Sequence, residues 1–276
     1  MASISAADVA KLRKMTGAGM MDCKNALQEA EGDFEKAVEV IRKKGQVVAN
    51  KRADREAGEG VVLASTTDDG KFGALIMLNC ETDFVAKNAD FEKLAYDILD
   101  LALEQKAENL DELKNIEIKG VKIEDKIVEQ IGIIGEKLEL SYYDCIKAEY
   151  VHSYIHPGNR LVTIAGFNKS GLDSQVYKDV AMQIAAMNPI AIDKDDVDQE
   201  EIDKEIEIGK EQARREGKPD NLLEKIAMGK LGKFFKENTL LNQEFVKDNK
   251  QTIRQYLNSA DKDLTVTGFR RYTLND

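Results

Sequence analysis

The strongest constraint on the fold of this chain is a pattern that occurs twice: strand, turn, strand, loop and helix. Its strands are β-branched and apolar runs, and its helices carry apolar residues at helical spacing. The first copy covers 61–67, 72–79 and 89–103, and the second covers 149–155, 161–167 and 172–187. Turn residues separate the strands, with Asp68-Asp69-Gly70 in the first copy and 156–159 in the second. The sequence therefore predicts a duplicated α+β unit.

The loop between the second strand and the helix differs between the two copies. The first copy has Thr82-Asp83-Phe84-Val85, whereas the second has Asn168-Lys169-Ser170-Gly171. Two interpretations of the first loop are open. Phe84 can turn inward as a core anchor with Asp83 capping the next helix, or both can serve a function at the rim of the sheet. Because only one copy carries this loop, the comparison favours function for Asp83 and Phe84.

Three short helices are predicted in residues 3–45. Ser5 and Asp22 are suitable N-caps for the first two helices, and Gly45 is predicted to end the third. This arrangement resembles the ubiquitin-associated type of three-helix domain, so we predict a docking domain over residues 1–52. Residues 46–58 are small and charged, which is typical of a linker.

Two adjacent methionines, Met20 and Met21, lie in the predicted loop between the first two helices. Flexible thioether side chains are common at binding surfaces that adapt to a partner. Large apolar side chains are nevertheless more often buried in the core of a domain. The sequence alone leaves both interpretations of this pair open.

The rest of the chain adds further elements to the duplicated unit. They are a partly helical segment at 104–126, a short helix from 126 that stops at Gly132, a helix at 250–259 and a strand at 264–272. Between 193 and 236, two helical patterns joined by Gly217-Lys218-Pro219 predict an antiparallel hairpin. The predicted domains are 1–52, 53–145, 146–192 together with 237–276, and the inserted hairpin 193–236.

The charge balance limits the classes of function. The chain has 40 basic and 51 acidic residues and a formal net charge of −11, which argues against direct nucleic-acid binding, since that requires clustered Lys and Arg. No apolar run reaches the roughly 20 residues that cross a bilayer, and the start lacks a signal or transit pattern. Three widely spaced cysteines fit a reduced compartment. We therefore expect a cytoplasmic protein with no membrane or nucleic-acid partner.

The sequence contains no convincing catalytic or metal-binding set. It has no Gly-x-x-x-x-Gly-Lys-Ser/Thr loop, so the chain is not itself a P-loop nucleotide hydrolase. His152 and His156 are four residues apart but lie in a strand and its turn, with no third ligand nearby. Cys80 could pair with His156 as a nucleophile, but it ends an apolar strand and is predicted to be a buried small hydrophobe. We expect no metal, no cofactor and no enzyme activity.

Two stretches of the chain resemble signatures of the bacterial translation elongation factor Ts family. They are Asn79-Cys-Glu-Thr-Asp-Phe-Val-Ala-Lys-Asn88 and Arg13-Lys-Met-Thr-Gly-Ala-Gly-Met-Met-Asp-Cys-Lys-Asn-Ala-Leu27. The resemblance extends over residues 3–272. It implies a guanine nucleotide exchange factor that binds elongation factor Tu, destabilises its Mg-GDP site and promotes GDP release without any bond chemistry.

The resemblance also implies which residues contact the partner. The residues matching Asp83 and Phe84 intrude beside the Mg²⁺ site of the partner's G domain, within the motif Thr82-Asp83-Phe84-Val85. The other implied contact residues are Arg13, Met20, Met21, Lys24, Ile131, Gly132 and His156. Pro157, directly after His156, departs from the family pattern, so the resemblance does not imply the detailed geometry of that turn.

The residues leave a rival function open. A plain adaptor would dock a partner through the helical domain without affecting any nucleotide, and only the Asp83-Phe84 loop argues against it. The hairpin at 193–236 also has two interpretations. In the family a comparable hairpin can mediate self-association, whereas a self-contained arm with a solvated face is the alternative.

Overall fold

The computed structural model describes residues 4–118 and 120–274, and it shows a mixed α+β architecture, as the sequence predicts. Within these ranges the helices are α1 (Ala6–Thr16), α2 (Met20–Glu29), α3 (Phe34–Arg52), α4 (Asp83–Ala86), α5 (Ala89–Gln105), α6 (Leu110–Asn115), α7 (Ile123–Ile134), α8 (Ser174–Met187), α9 (Gln199–Arg215), α10 (Asp220–Asn238) and α11 (Ile253–Ala260). The strands are β1 (Glu59–Thr66), β2 (Phe72–Cys80), β3 (Glu117–Ile118), β4 (Val121–Lys122), β5 (Leu138–Lys147), β6 (Tyr150–Ile155), β7 (Leu161–Phe167), β8 (Glu244–Phe245), β9 (Asp248–Thr252) and β10 (Val266–Thr273).

Two three-stranded antiparallel sheets carry most of the β-structure. The first has the order β1-β2-β5, and the second has the order β10-β7-β6. In both sheets a hairpin supplies the central strand and one edge, and a strand that follows a helix supplies the other edge. The sequence did not predict β5, because it is a half-exposed edge strand with polar residues along much of its length.

The two sheets pack face to face around a shared apolar cluster. Its buried members are Val62, Ala64, Leu75, Met77, Ile146, Val151, Val162 and Ile164. On the outer faces, α5 covers the first sheet and α8 covers the second. Every residue of β2 is buried, since its alternate side chains face α5 and the second sheet. The strand that leads into Thr82 is therefore fixed on both of its faces.

The sequence predicts that the third helix ends at Gly45. This prediction is wrong, because α3 continues to Arg52. Glycine is needed at positions 45 and 132 because α3 packs closely on α7. A Cβ on Gly45 would lie 2.8 Å from the Val128 carbonyl oxygen, and a Cβ on Gly132 would lie 2.6 Å from the Cα of Gly45. The prediction that Gly132 ends a helix is wrong for the same reason, since α7 continues to a left-handed cap at Gly135. The predicted linker 46–58 is thus helical up to residue 52.

The other helix boundaries near the N-terminus follow from their caps. Ser5 caps α1 as predicted, because its hydroxyl accepts the amide of Asp8 and the Asp8 carboxylate accepts the amide of Ser5. Asp22 does not cap the second helix, since α2 begins at Met20 with Gly19 as N-cap. The predicted loop methionines therefore lie in the first turn of α2.

Helices α9 and α10 pack against each other and are joined by the short connection 216–219. Gly209 lies against Ala227, where an added Cβ would be 3.1 Å from the Ala227 Cα, and Lys210 forms an ion pair with Glu224 at 2.9 Å. These pairings show that the two helices run antiparallel. The chain leaves and rejoins the rest of the protein at one place, since Ala191 pairs with Thr239.

Short elements occupy the remaining segments. The segment 104–126, predicted to be partly helical, contains α6 and the two-stranded pair β3-β4. A second small pair, β8-β9, precedes α11, which starts at Ile253 with Thr252 as its cap. In the part of the chain that the structure describes, no helix is long and apolar enough to span a membrane.

Candidate functional site

The side chain of Phe84 is 82 % exposed, so the interpretation of this residue as a core anchor is wrong. It lies on α4, a single helical turn in which Ala86 is buried and Val85 packs against the core of the first sheet. Because these two side chains anchor the inner face of the turn, the ring of Phe84 is directed outward. The structure thus presents an aromatic ring to solvent on a turn whose opposite face is fixed.

Asp83 is not the cap of the following helix, since Asn88 caps α5 and Thr82 caps α4. Its carboxylate accepts a hydrogen bond from Lys87 Nζ at 2.7 Å, and this bond lowers the pKa of Asp83 below its ordinary value. Both side chains are largely open to solvent, at 48 % exposure for Asp83 and 76 % for Lys87. Exposed ion pairs of this kind contribute little stabilisation, so the bond to Lys87 is easily broken. An ionised carboxylate is therefore available beside Phe84.

The backbone and hydroxyl of Thr82 fix where the turn begins. Both the Thr82 amide and its hydroxyl donate to the Glu136 carboxylate, at 3.0 and 2.7 Å. The Cys80 thiol donates to the Thr82 carbonyl at 3.1 Å. No local sequence pattern marks Glu136, because it lies 54 residues from Thr82 and only the fold brings the two together.

A second carboxylate, Glu81, lies directly before Thr82. It accepts the amide of Lys137 at 2.6 Å and the guanidinium of Arg52 at 2.8 and 2.9 Å. The Lys137 amide chiefly, with Arg52 in addition, holds the pKa of Glu81 below its ordinary value. The carboxylate is therefore ionised at neutral pH, and it joins the end of α3 to the turn.

Cys80 is fully buried at the end of β2, as the sequence predicted. Burial chiefly raises the pKa of its thiol to about 12, with the Glu136 carboxylate adding to the effect. The thiol is therefore protonated at neutral pH and has little nucleophilic character. Its role in the structure is to donate a hydrogen bond to Thr82.

The four candidate residues near the N-terminus lie together around the junction of α1 and α2, and all are exposed. They are Arg13, Met20, Met21 and Lys24. Met20 is 45 % exposed and Met21 is 64 % exposed, which excludes the interpretation of this pair as core residues. Met15, near the end of α1, is also exposed, at 58 %. The junction therefore presents apolar and basic side chains to solvent.

The remaining candidate residues have different environments. Ile131 is 6 % exposed and packs in the core of the first sheet, and Gly132 lies against Gly45. The structure therefore gives both residues a packing role. His156 is exposed after β6, where its Nδ1 lies 3.1 Å from the hydroxyl of Tyr154, so its side chain is accessible.

The described residues contain no group of three or more His, Cys, Asp or Glu side chains that could hold a metal ion. His152, one of the two histidines considered from the sequence, stacks on Tyr150 with ring centroids 6.3 Å apart. Burial lowers the pKa of His152 below its ordinary value, so the imidazole is neutral at neutral pH. Its surroundings are those of a packed aromatic residue.

Comparison with known proteins identifies the family. The family described as "Elongation factor TS" matches residues 81–276, which include the turn and Glu136. A relative named "Elongation factor Ts" in Porphyromonas gingivalis is 55 % identical over 274 residues, with 99 % of each chain covered. Relatives of the same name in Christiangramia forsetii and Amoebophilus asiaticus are 52 % and 53 % identical, over 276 and 271 residues, with at least 98 % of each chain covered.

The chain belongs to the elongation factor Ts family. Its place is thus among the elongation factors of protein biosynthesis, which act in the elongation stage of translation. The similarity to these relatives covers at least 98 % of the chain and so includes α1 to α3, although the family match itself begins at residue 81.

Proposed function

We propose that this protein is a guanine nucleotide exchange factor that binds elongation factor Tu and promotes the release of its GDP in the cytoplasm. The observation that carries the proposal is the exposure of Phe84, at 82 %, on a turn whose inner face is anchored by Val85 and Ala86. An exposed ring on a fixed support can enter a partner without first losing conformational freedom. Asp83 supplies an ionised carboxylate beside it.

Exchange of this kind follows from differential binding. A factor that binds the nucleotide-free G protein better than the GDP-bound form must, by thermodynamic linkage, weaken GDP binding by the same factor. In P-loop G proteins the phosphates are held by backbone amides and a lysine, and Mg²⁺ bridges phosphate oxygens. The ring of Phe84 would force apart packed elements near the metal. The Asp83 carboxylate would compete with the phosphate oxygens for the positive charge of Mg²⁺. No covalent bond is made or broken in this process, so the protein is not an enzyme.

The exposed junction of α1 and α2 is proposed to dock on the same G domain. Met20 and Met21 provide adaptable apolar contact, and Arg13 and Lys24 add positive charge at its edge. His156 is proposed as a further contact, because its ring is accessible. Ile131 and Gly132 support the packing of α7 and are left out of the proposed contact surface.

The test is the release of a fluorescent GDP analogue from elongation factor Tu after mixing with the purified chain. We expect release to accelerate with concentration of the chain and to saturate, since the step occurs within a complex. Excess unlabelled GDP prevents rebinding, and the chain unfolded by heat serves as the control. Binding to elongation factor Tu without any acceleration would contradict the proposal and establish the adaptor instead.

A further inference from the structure

The structure assigns a positioning role to three residues that do not themselves form the proposed contact surface. We infer that Glu136, together with the Arg52–Glu81 ion pair, holds the turn carrying Phe84 in the orientation needed for nucleotide release. The inference rests on the proposed function. These groups fix the turn relative to α3 and α7.

Glu136 is placed by the end of α7. The helix closes at Gly135, whose φ of 79° is left-handed, and the next residue is thereby aimed back at Thr82. Both carboxylate oxygens of Glu136 are used, since Oε1 accepts the Thr82 hydroxyl and Oε2 accepts the Thr82 amide. Hydrogen bonds to a charged group are the stronger kind. Glu136 therefore fixes both the backbone and the side chain at the first position of the turn.

Every polar group of Thr82 is engaged in this arrangement. While its amide and hydroxyl donate to Glu136, its hydroxyl oxygen also accepts the amide of Val85 at 3.4 Å. Its carbonyl accepts the Cys80 thiol at 3.1 Å and the amide of Ala86 at 3.2 Å. Since Thr82 is the N-cap of α4, the direction of this helical turn follows from how Thr82 is held.

The Arg52–Glu81 ion pair holds the residue that directly precedes Thr82. Arg52 is the last residue of α3, and Glu81 directly precedes Thr82. The Glu81 side chain is 16 % exposed and Arg52 35 %, so solvent screens this pair less than a fully exposed one. Glu81 also accepts the Lys137 amide, which lies next to Glu136 in the chain. The helical unit α1–α3 is thus joined through its last residue to the turn.

The contacts of Glu136 and of the Arg52–Glu81 pair affect the orientation of the turn more than the stability of the whole protein. Helix α4 has four residues, too few to be stable by itself, so its order depends on the groups that hold its ends. The core beneath it is built from β2 and α5, which do not depend on Glu136. Loss of Glu136 should therefore leave the fold intact while the turn becomes mobile.

The first experiment compares Glu136→Ala with the unaltered chain in the GDP-release assay and in amide hydrogen exchange followed by NMR. We expect the maximal release rate to fall about tenfold, the scale on which lost preorganisation and charged hydrogen bonds act. The half-saturating concentration should change less than the maximal rate does, because the α1–α2 junction is untouched. The amides of Ala86 and Lys87 should exchange faster. Glu136→Gln, which keeps one acceptor oxygen, should recover part of the rate.

A matched pair of variants tests the ion pair. Arg52→Ala breaks the bond to the turn, whereas Arg42→Ala breaks an ion pair from the same helix to Glu129 of α7, at 2.6 Å, that does not touch the turn. We expect Arg52→Ala to lower the maximal release rate and Arg42→Ala to leave it unchanged, with Arg52→Lys recovering part of the loss. Equal effects of both alanine variants would overturn the role of the ion pair.

Hydrogen exchange in the free protein separates this inference from the proposed function. If the unaltered chain fails to release GDP but Glu136→Ala still speeds exchange at Ala86, the proposed function fails and the positioning of the turn stands. If the unaltered chain releases GDP and Glu136→Ala changes neither the rate nor the exchange at Ala86, the inference is overturned while the proposed function stands.

Discussion

Single residues determine the orientation of the side chains on the turn between β2 and α5. The motif Thr82-Asp83-Phe84-Val85 is recognisable in the sequence, but the direction of Phe84 is not, because burial preferences favour a buried ring. The direction follows from neighbours that anchor the turn, Val85 and Ala86, and from the capping of α4 by Thr82. Glu136 could not be predicted at all, since nothing near it in the sequence marks it and its partner is 54 residues away.

Asp83→Ala is expected to slow GDP release with a deficit that depends on Mg²⁺. The exposed carboxylate beside Phe84 would compete with the metal's ligands, so its loss matters most when Mg²⁺ is bound. Stopped-flow release is measured in millimolar Mg²⁺ and again in excess chelator. Lys87→Ala is the control, because it removes the partner of Asp83 but keeps the carboxylate. A deficit of equal size in both conditions would contradict a role near the metal.

Whole elements show where sequence reasoning succeeds and where it fails. The hairpins β1-β2 and β6-β7 and the helices α5 and α8 follow from local patterns and turn residues, and the structure confirms them. The sequence predicts helix ends at Gly45 and Gly132, because glycine commonly ends helices. In this protein they allow α3 and α7 to approach closely, a contact between segments that are remote in sequence. Local patterns carry no information about such a contact.

Gly132→Ala is expected to destabilise the protein by about 1–3 kcal/mol, the usual cost of inserting a methyl group into a tight contact. An added Cβ would lie 2.6 Å from the Cα of Gly45, a backbone atom that cannot move without shifting α3. Thermal and denaturant unfolding measure the effect. Gly229→Ala in α10 is the matched control, since in the described part of the chain its Cβ would meet no atom within 4 Å. It should stabilise by up to about 1 kcal/mol, and the same gain for Gly132→Ala would contradict close packing.

At the scale of the whole molecule, the three N-terminal helices are joined to the first sheet by more than a tether. Val48 and Ala49 of α3 pack against the core of that sheet, and Arg42 pairs with Glu129 of α7. The composition of 46–58 predicts a flexible linker. That prediction is wrong for the first half of the segment, which is helical. Small charged residues are compatible with a solvent-facing helix as well as with a linker, and composition does not distinguish them.

Deletion of residues 1–52 is expected to lower the melting temperature of what remains. The deletion uncovers α7 where Gly132 meets Gly45 and removes the Arg52–Glu81 ion pair. Differential scanning calorimetry of the truncated and intact chains gives the comparison. A truncated chain with the same melting temperature would show that the three helices are energetically independent of the core.

Self-association through the hairpin 193–236 stays a prediction. Leu223, Ala227 and Leu231 are buried within the protein, while Ile208 and Met228 remain exposed on the hairpin. The two ends of the hairpin are adjacent, because Ile190 donates to the Asn238 carbonyl at 2.9 Å, so residues 194–233 can be replaced by a short linker. Sedimentation equilibrium should give a larger mass per chain for the intact protein than for the deletion. Monomeric masses for both would remove the hairpin from any assembly role.

The most direct test of the central claim is Phe84→Ala measured in two ways. A ring that is 82 % exposed contributes little to folding, so the melting temperature should be nearly unchanged. At an interface, loss of an aromatic anchor commonly costs about 2 kcal/mol or more, so stimulated GDP release should fall by roughly thirtyfold or more. A variant that folds normally and still releases GDP at the unaltered rate would contradict the role assigned to Phe84.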